Sequence, residues 1–382
     1  MRLLIIGLLL LQFGPRTPLT PAETLLSLET LGLIVAQAPL STASTQTGGS
    51  NSANDVLLTC REGQCGTATR AARKINALVT ANKLPQPLRT IRVASAENES
   101  SNRAVAAIHV AEIDGRPLQV VRGLWSKAGI GDEVVEVFAH QVGPVELRAF
   151  ENVGQLALEP FGVATTTIVT SPVTINDYAS FVAAASAYFL ATLPNAGAEA
   201  LLSHLTVGAH ARLAEDGRRA VAQMGNQQRA SADVLIMFGQ AIERERRRMR
   251  SFERFMPQPV DPMLHSRILD MEKGITSVWT SIGMTSSPFV PAAVRIRGRG
   301  GDDRRVPTRT GSGPLPRPEP PTAFLKFPNV DVVIAELGNF IDGKRTISDI
   351  RDAVSAEFTP IALPVVSDYF ERLAKAGAIS IR

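Results

Sequence analysis

LPQPLRTIRVASAENES, Leu84 to Ser100, decides how this chain is read. A helix-like run ends at its two prolines. A strand rich in β-branched residues, Leu88 to Ala94, comes next and is followed by two acids, Glu97 and Glu99. An acid at the carboxyl end of a strand in an α/β sheet stands where ligands and metals bind.

The flanking segments continue the α/β pattern. TATRAARKINALVTAN, Thr67 to Asn82, has helical periodicity with Ala71, Ile75, Leu78 and Val79 on one face. RAVAAIHVAEIDGRPLQVV, from Arg103, reads as a helix or strand, a turn at Asp114-Gly115, and a strand. Asp132 to Val142 is an amphipathic helix carrying His140. Gly162 to Val173 is a buried strand that stops at Ser171-Pro172. Thr174 to Leu193 is a strongly apolar helix whose start has the Thr174/Asp177 spacing of a capping box. This alternation predicts a mostly parallel sheet with helices on both faces. Ala198 to Met224 and Ser231 to Phe255 extend it as two long helices.

With 382 residues, 45% apolar and 20% charged, the chain can bury a sizeable core. Aromatics make up 5%, which argues against a base-stacking platform for nucleic acid. The net charge of +4 is concentrated in ERERRRMR, Glu243 to Arg250, and RIRGRGGDDRR, Arg295 to Arg305. The first reads as a solvated helix face with pairs such as Glu243 and Arg247, the alternative being a patch for a polyanion. Cys60 and Cys65, in CREGQC, do not have CxxC spacing. They are either a small disulfide loop or two thiols.

Met1-Arg2 and the apolar run LLIIGLLLLQF have signal-peptide proportions and are too short to span a bilayer. Residues 1–38 are expected as an export signal, which places the protein in the periplasm or outside the cell. An uncleaved anchor and a true start other than Met1 are the alternatives, and membrane association would run only through this segment. Residues 39–54 form a polar spacer, 55–294 the α/β domain with its helical extension, 295–321 a Pro/Gly/Arg-rich linker, and 322–382 a small C-terminal domain.

In that last domain Asn329 to Gly343, a helix capped by Thr346 with Asp349, and Leu363 to Gly377 form three helices. Ala378 to Ile381 is a terminal strand, and the unit is winged-helix-like. From Val330 to Arg382 it carries six basic against eight acidic residues, a balance of −2. Affinity for DNA rests on phosphate contacts, so this charge points to protein docking rather than nucleic-acid binding.

GTATRAARKINALVTANKLPQPLRTIRVASAENES resembles the helix and following strand of the zinc aminopeptidases of the bacterial leucyl aminopeptidase and aminopeptidase Y type. FGVATTTIV and TINDYASFVAAASAYFLATL are similar to that family's strand before its last metal ligand and the helix beyond it. The tail from GSGPLPRP is similar to a winged-helix-like appendage of some long bacterial members. The resemblance implies a partial zinc-exopeptidase-like three-layer sandwich, and it covers most of residues 55–382.

It also implies a site with gaps. Glu99 matches the general base, which must reach a metal-bound water. Glu62 stands near the bridging aspartate, and Glu97 is the other weak candidate ligand. Ser100 occupies a metal-ligand position, where a neutral hydroxyl is a poor substitute for a carboxylate. The HxD motif upstream of the bridging acid is missing, because the first histidine is His109. The loop after the GVATTTIV strand has none, and His109, His140, His204, His210 and His265 form no HxxxH or HxD pair. Catalytic zinc normally takes three protein ligands. The expectation is therefore a degenerate, non-catalytic relative without a cofactor, acting in binding or interaction with a protein or peptide, or a truncated member. The alternative is an exopeptidase with zinc in an atypical site built from Glu62, Glu97, Glu99, Asp177 and His140.

Overall fold

A computed structural model of the chain describes residues 55–61, 63–82, 84–95, 104–114, 116–143, 145–149, 165–171, 177–193, 198–224, 232–256, 262, 265–266, 268–270, 273–274, 302–311, 315–316, 318–327 and 329–382. The expected signal and spacer lie outside them, as does Thr174. Among the described residues no helix is long and apolar enough to cross a membrane.

The architecture is α/β. Asp55–Cys60 (β1), Gly66–Thr80 (α1), Ile91–Ser95 (β2), Ala104–Glu112 (β3) and Gln119–Arg122 (β4) come first. Ile130–Val142 (α2), Glu146–Ala149 (β5), Thr165–Thr170 (β6) and Asp177–Thr192 (α3) follow. The strands form one sheet in the order β2-β1-β3-β6-β4-β5. Strands β2, β1, β3 and β6 are mutually parallel, and β4 turns the direction by pairing antiparallel to β6. β5 runs parallel to β4. The sheet is mostly parallel, as the alternation predicts.

β1 is buried along its whole length, DVLLTC, because it has a strand on each side and apolar residues on both faces. The three helices against the sheet pack side by side, with α3 between α1 and α2. Residues 179–191 of α3 are all buried. A helix apolar on every side is what such a central position requires. Phe138 of α2 meets Phe181 and Phe189 of α3 edge-on, with centroids 6.4 and 6.1 Å apart.

Two boundaries move in the opening stretch. β2 begins at Ile91, three residues later than predicted, and Leu88 is exposed. The reason is that Pro85 to Thr90 belong to the packing around the end of α3. Tyr188 donates its hydroxyl hydrogen to the Pro85 carbonyl at 2.9 Å, and burial pushes the phenol up to about 12. Arg89 is buried. Its backbone N–H bonds the Ala191 carbonyl at 3.0 Å. Its guanidinium donates to the carbonyls of Leu193 and, at 2.6 Å, of Phe255. The same group lies 5.3 Å from the centre of the Phe255 ring, and burial lowers its pKa.

Ala198–Met224 (α4) and Ala232–Ser251 (α5) match the two long helices predicted. The chain divides into two compact units: the described residues to Leu205 with Arg248–His265, and Thr206–Arg247 with Ser266–Arg382. The helical extension is thus split between units rather than belonging wholly to the first. Within the second unit, Arg244 and Glu245 of the ERERRRMR run are buried rather than part of a solvated face. Glu245 is fully buried and takes Arg212 at 2.8 Å and the Arg244 guanidinium, while Arg244 also holds Asp216 at 2.9 Å. Glu243 pairs with Arg246 at 3.3 Å rather than with Arg247. Arg247 instead lies over the Phe340 ring, 5.5 Å from its centre, with Arg345 at 5.1 Å from the same ring.

The C-terminal part of that unit contains Pro307–Arg309 (β7), Val330–Asn339 (α6), Ile347–Glu357 (α7), Leu363–Lys375 (α8) and Ile379–Ile381 (β8). Thr346 and Asp349 form the expected capping box. Gly377 ends the third helix with φ +72°, a conformation that costs glycine nothing. α6 stops four residues short of the predicted Gly343. The stretch expected as a linker is not all linker: β7 pairs antiparallel with β8. Asp303 accepts a hydrogen bond from Ser367 at 2.7 Å, and the Ser348 hydroxyl accepts one from the Asp303 N–H at 2.8 Å. Hydrogen bonds from Arg305, its largest effect, lower the Asp303 pKa.

Replacing Arg89 by Met should cost about 3 kcal/mol, because two buried carbonyls lose their charged donor. Arg89→Lys should recover less than half of that, since one ammonium cannot reach both. Urea unfolding of the three proteins measures this.

Candidate functional site

The sheet's topology places a crevice at one point. From β1 the chain turns through α1 to β2 on one side, and β3 lies on the other side of β1. Ligands of open α/β sheets bind outside the carboxyl ends of the strands where such connections diverge. Cys60 ends β1 there, in register with Ser95 of β2 and Val110 of β3.

The two cysteines are joined, Cys60 to Cys65, with Cα atoms 5.1 Å apart. The disulfide alternative is therefore the one the structure adopts. Cys60 is fully buried, whereas Cys65, the N-cap of α1, is half-exposed. A crosslink between residues five apart closes a very short loop. It removes little chain entropy, about 2 kcal/mol on a chain-entropy estimate. Around it are polar groups from three elements. Glu112, the last residue of β3, accepts the Thr67 N–H at 2.6 Å in the first turn of α1. Arg70 donates to the Thr67 hydroxyl at 2.8 Å and to Ser180 of α3 at 3.4 Å. Gly66 permits this closeness, because a Cβ there would stand 3.3 Å from Glu112 Oε1 and 3.4 Å from Arg70 Nη1.

The residues singled out by resemblance are distributed unevenly. Glu62, Glu97, Glu99 and Ser100 lie outside the described residues. Asp177 opens α3, beyond the carboxyl end of β6. The histidines are dispersed. His109 is fully buried on β3, with Nδ1 3.1 Å from the Thr59 hydroxyl. His140 is exposed in the last turn of α2. His204 and His210 are on α4, the first half-buried and the second exposed. His265 meets Glu253 at 2.8 Å. Among the described residues no group of three or more His, Cys, Asp or Glu is placed to hold a metal ion.

A second charged cluster lies by the amino end of β6. Asp132 and Glu133, in the first turn of α2, share one Arg248 guanidinium nitrogen, at 2.9 and 3.0 Å. All three are buried. Asp132 also accepts the Thr166 hydroxyl at 2.7 Å. Burial raises the Asp132 carboxyl above its ordinary range, Glu133 and Glu136 push it the same way, and Arg248 and Thr166 oppose them. This cluster fixes the start of α2 against β6. Sequence reasoning missed it because the partners are 116 residues apart along the chain, counted from Asp132 to Arg248. It also missed β1, although DVLLT directly before CREGQC carries an apolar strand signal.

No protein-family model and no curated protein matches the chain.

Arg248→Met should destabilise the protein by about 3–5 kcal/mol, since it leaves two buried carboxylates without their shared cation. The pH dependence of Asp132 has a definite sign. A carboxyl whose folded pKa lies above 3.8 binds protons more tightly when folded, so its contribution is full in acid and is lost as pH rises through the folded value. Relative to wild type, Asp132→Asn should therefore gain stability steadily from about pH 4 upward. Denaturant unfolding at a series of pH values reads this, and a flat or falling difference would contradict it.

Proposed function

We propose that the chain is an exported, non-catalytic relative of the zinc aminopeptidases that acts in binding or protein interaction. A protein or peptide partner contacts the crevice at the carboxyl ends of β1 and β3. Residues 322–382 act as a winged-helix-like docking unit, and the balance of six bases against eight acids from Val330 to Arg382 disfavours a nucleic acid. The observation that carries the reading is the scatter of the histidines: one is locked inside the sheet against Thr59 and one is paired with Glu253. A zinc exopeptidase gathers such groups around a shared water. The loop in which resemblance places the bridging acid is instead tied by the Cys60–Cys65 bond.

One observation favours a second reading, a working exopeptidase with an atypical zinc site. Ser95 ends β2 in register with Cys60, and Glu97 and Glu99 follow it directly in sequence. The strand therefore leads to the crevice. In that reading zinc would be held among Glu62, Glu97, Asp177 and His140, and Glu99 would be the base.

The full chain, purified, loaded with zinc and desalted, separates the two. The expected result is far less than about one zinc per chain and no release of nitroaniline from aminoacyl-nitroanilides. Stoichiometric zinc with hydrolysis that disappears in a folded Glu99→Gln variant would overturn the proposal and establish the second reading.

A further inference from the structure

We propose that Cys60–Cys65 is a thiol–disulfide exchange centre, with Cys65 as the sulfur attacked by an external thiol. The activity is distinct from the binding role above and stands whether or not a partner occupies the crevice.

Four observations carry it. The two sulfurs differ in access: Cys60 is fully buried in β1, and Cys65 is half-exposed among the exposed residues Arg61, Gly63, Gln64 and Gly66. A reagent from solvent therefore meets one sulfur and not the other. Cys65 is also the N-cap of a 15-residue helix, with the Arg70 guanidinium and the Glu112 carboxylate both beside the next residue. The helix N-terminus and Arg70 favour a thiolate over a thiol at Cys65, and Glu112, which takes the Thr67 N–H, opposes them. Third, the reduced state has a partner waiting. Cys60 Sγ is 3.5 Å from the Ala94 carbonyl oxygen, so the buried thiol hydrogen has an acceptor in place. Fourth, the fold does not need the crosslink. β1 is held by backbone pairing to β2 and β3 along its length, and the crosslink spans only five residues.

The exchange balances in two steps. An incoming thiolate attacks Cys65 Sγ, the Cys65–Cys60 bond breaks, and its electron pair passes to Cys60 Sγ. Cys60 takes up a proton and turns its S–H to the Ala94 carbonyl. A second thiolate then attacks the incoming sulfur, and the Cys65 thiolate leaves at the head of α1. Two external thiols become one disulfide, two electrons and one proton, on Cys60, enter the protein, and the second proton goes to solvent. An external disulfide reverses the steps.

The test titrates the oxidised full chain in glutathione buffers of graded ratio, traps thiols with a maleimide, and weighs the products. The expected result is a reversible two-electron transition with an unchanged far-ultraviolet dichroism spectrum. In the Cys60→Ser variant, oxidised glutathione should form a mixed disulfide with Cys65, releasing one reduced glutathione, at least about tenfold faster than with Cys60 in Cys65→Ser. If either variant fails to fold, wild-type reduction by dithiothreitol decides. The native bond should react at least as fast as the same bond in the guanidinium-unfolded chain. A bond that stays oxidised in the most reducing glutathione buffer would overturn the proposal. So would reduction only with loss of the fold, or native reduction more than about tenfold slower than unfolded.

Discussion

The complete burial of β1 is the constraint on which the first unit depends. Six consecutive buried residues must have a strand on each side and apolar cover on both faces. β2 and β3 supply the strands. The backbone groups of β1 are then satisfied by the ladder, so the strand can end abruptly at Cys60. Where it ends, the chain must turn within five residues into α1. That tight reversal brings two cysteines, the first turn of a helix and the end of β3 into one small region. The crevice follows from the topology, and its chemistry follows from the residues that the reversal places there.

Buried charge does the rest of the positioning. Arg89 gathers the ends of α3 and of the segment after α5 by donating to their carbonyls. Arg248 does the same for the head of α2 through two carboxylates. In the second unit Glu245 collects Arg212 and Arg244. Such pairs add little net stability compared with an apolar replacement, but breaking one partner is costly. They therefore act as registers that hold helix ends in place. An arginine is suited to this, because its planar fork meets two acceptors at once.

The elements were legible in the sequence wherever a period was long and uninterrupted. α4, the capping box at Thr346 and the end of α8 at Gly377 lie where pattern and capping chemistry put them. Short strands were not legible: ELRA in β5 and PTR in β7 are strands because a partner edge is present, not because of their own pattern. ERERRRMR has the composition of a solvated face, and the burial of Arg244 and Glu245 depends on Asp216 and Arg212, which reach them from α4. The candidate site was half legible. The LPQPLRTIRVASAENES stretch leads to Ser95, in register with Cys60, but it directed attention to carboxylates rather than to the cysteines. Pairing between residues at that spacing depends on the turn from β1 into α1, which sequence spacing alone does not determine.

The site thus combines a structural rest state with a reactive bond at the mouth of the sheet. Amide hydrogen exchange, compared between the oxidised and the dithiothreitol-reduced protein, tests this most directly. The account predicts faster exchange confined to residues 61–70, with protection of β1, β2 and β3 unchanged. Faster exchange throughout those strands on reduction would contradict it, because the bond would then be holding the sheet together.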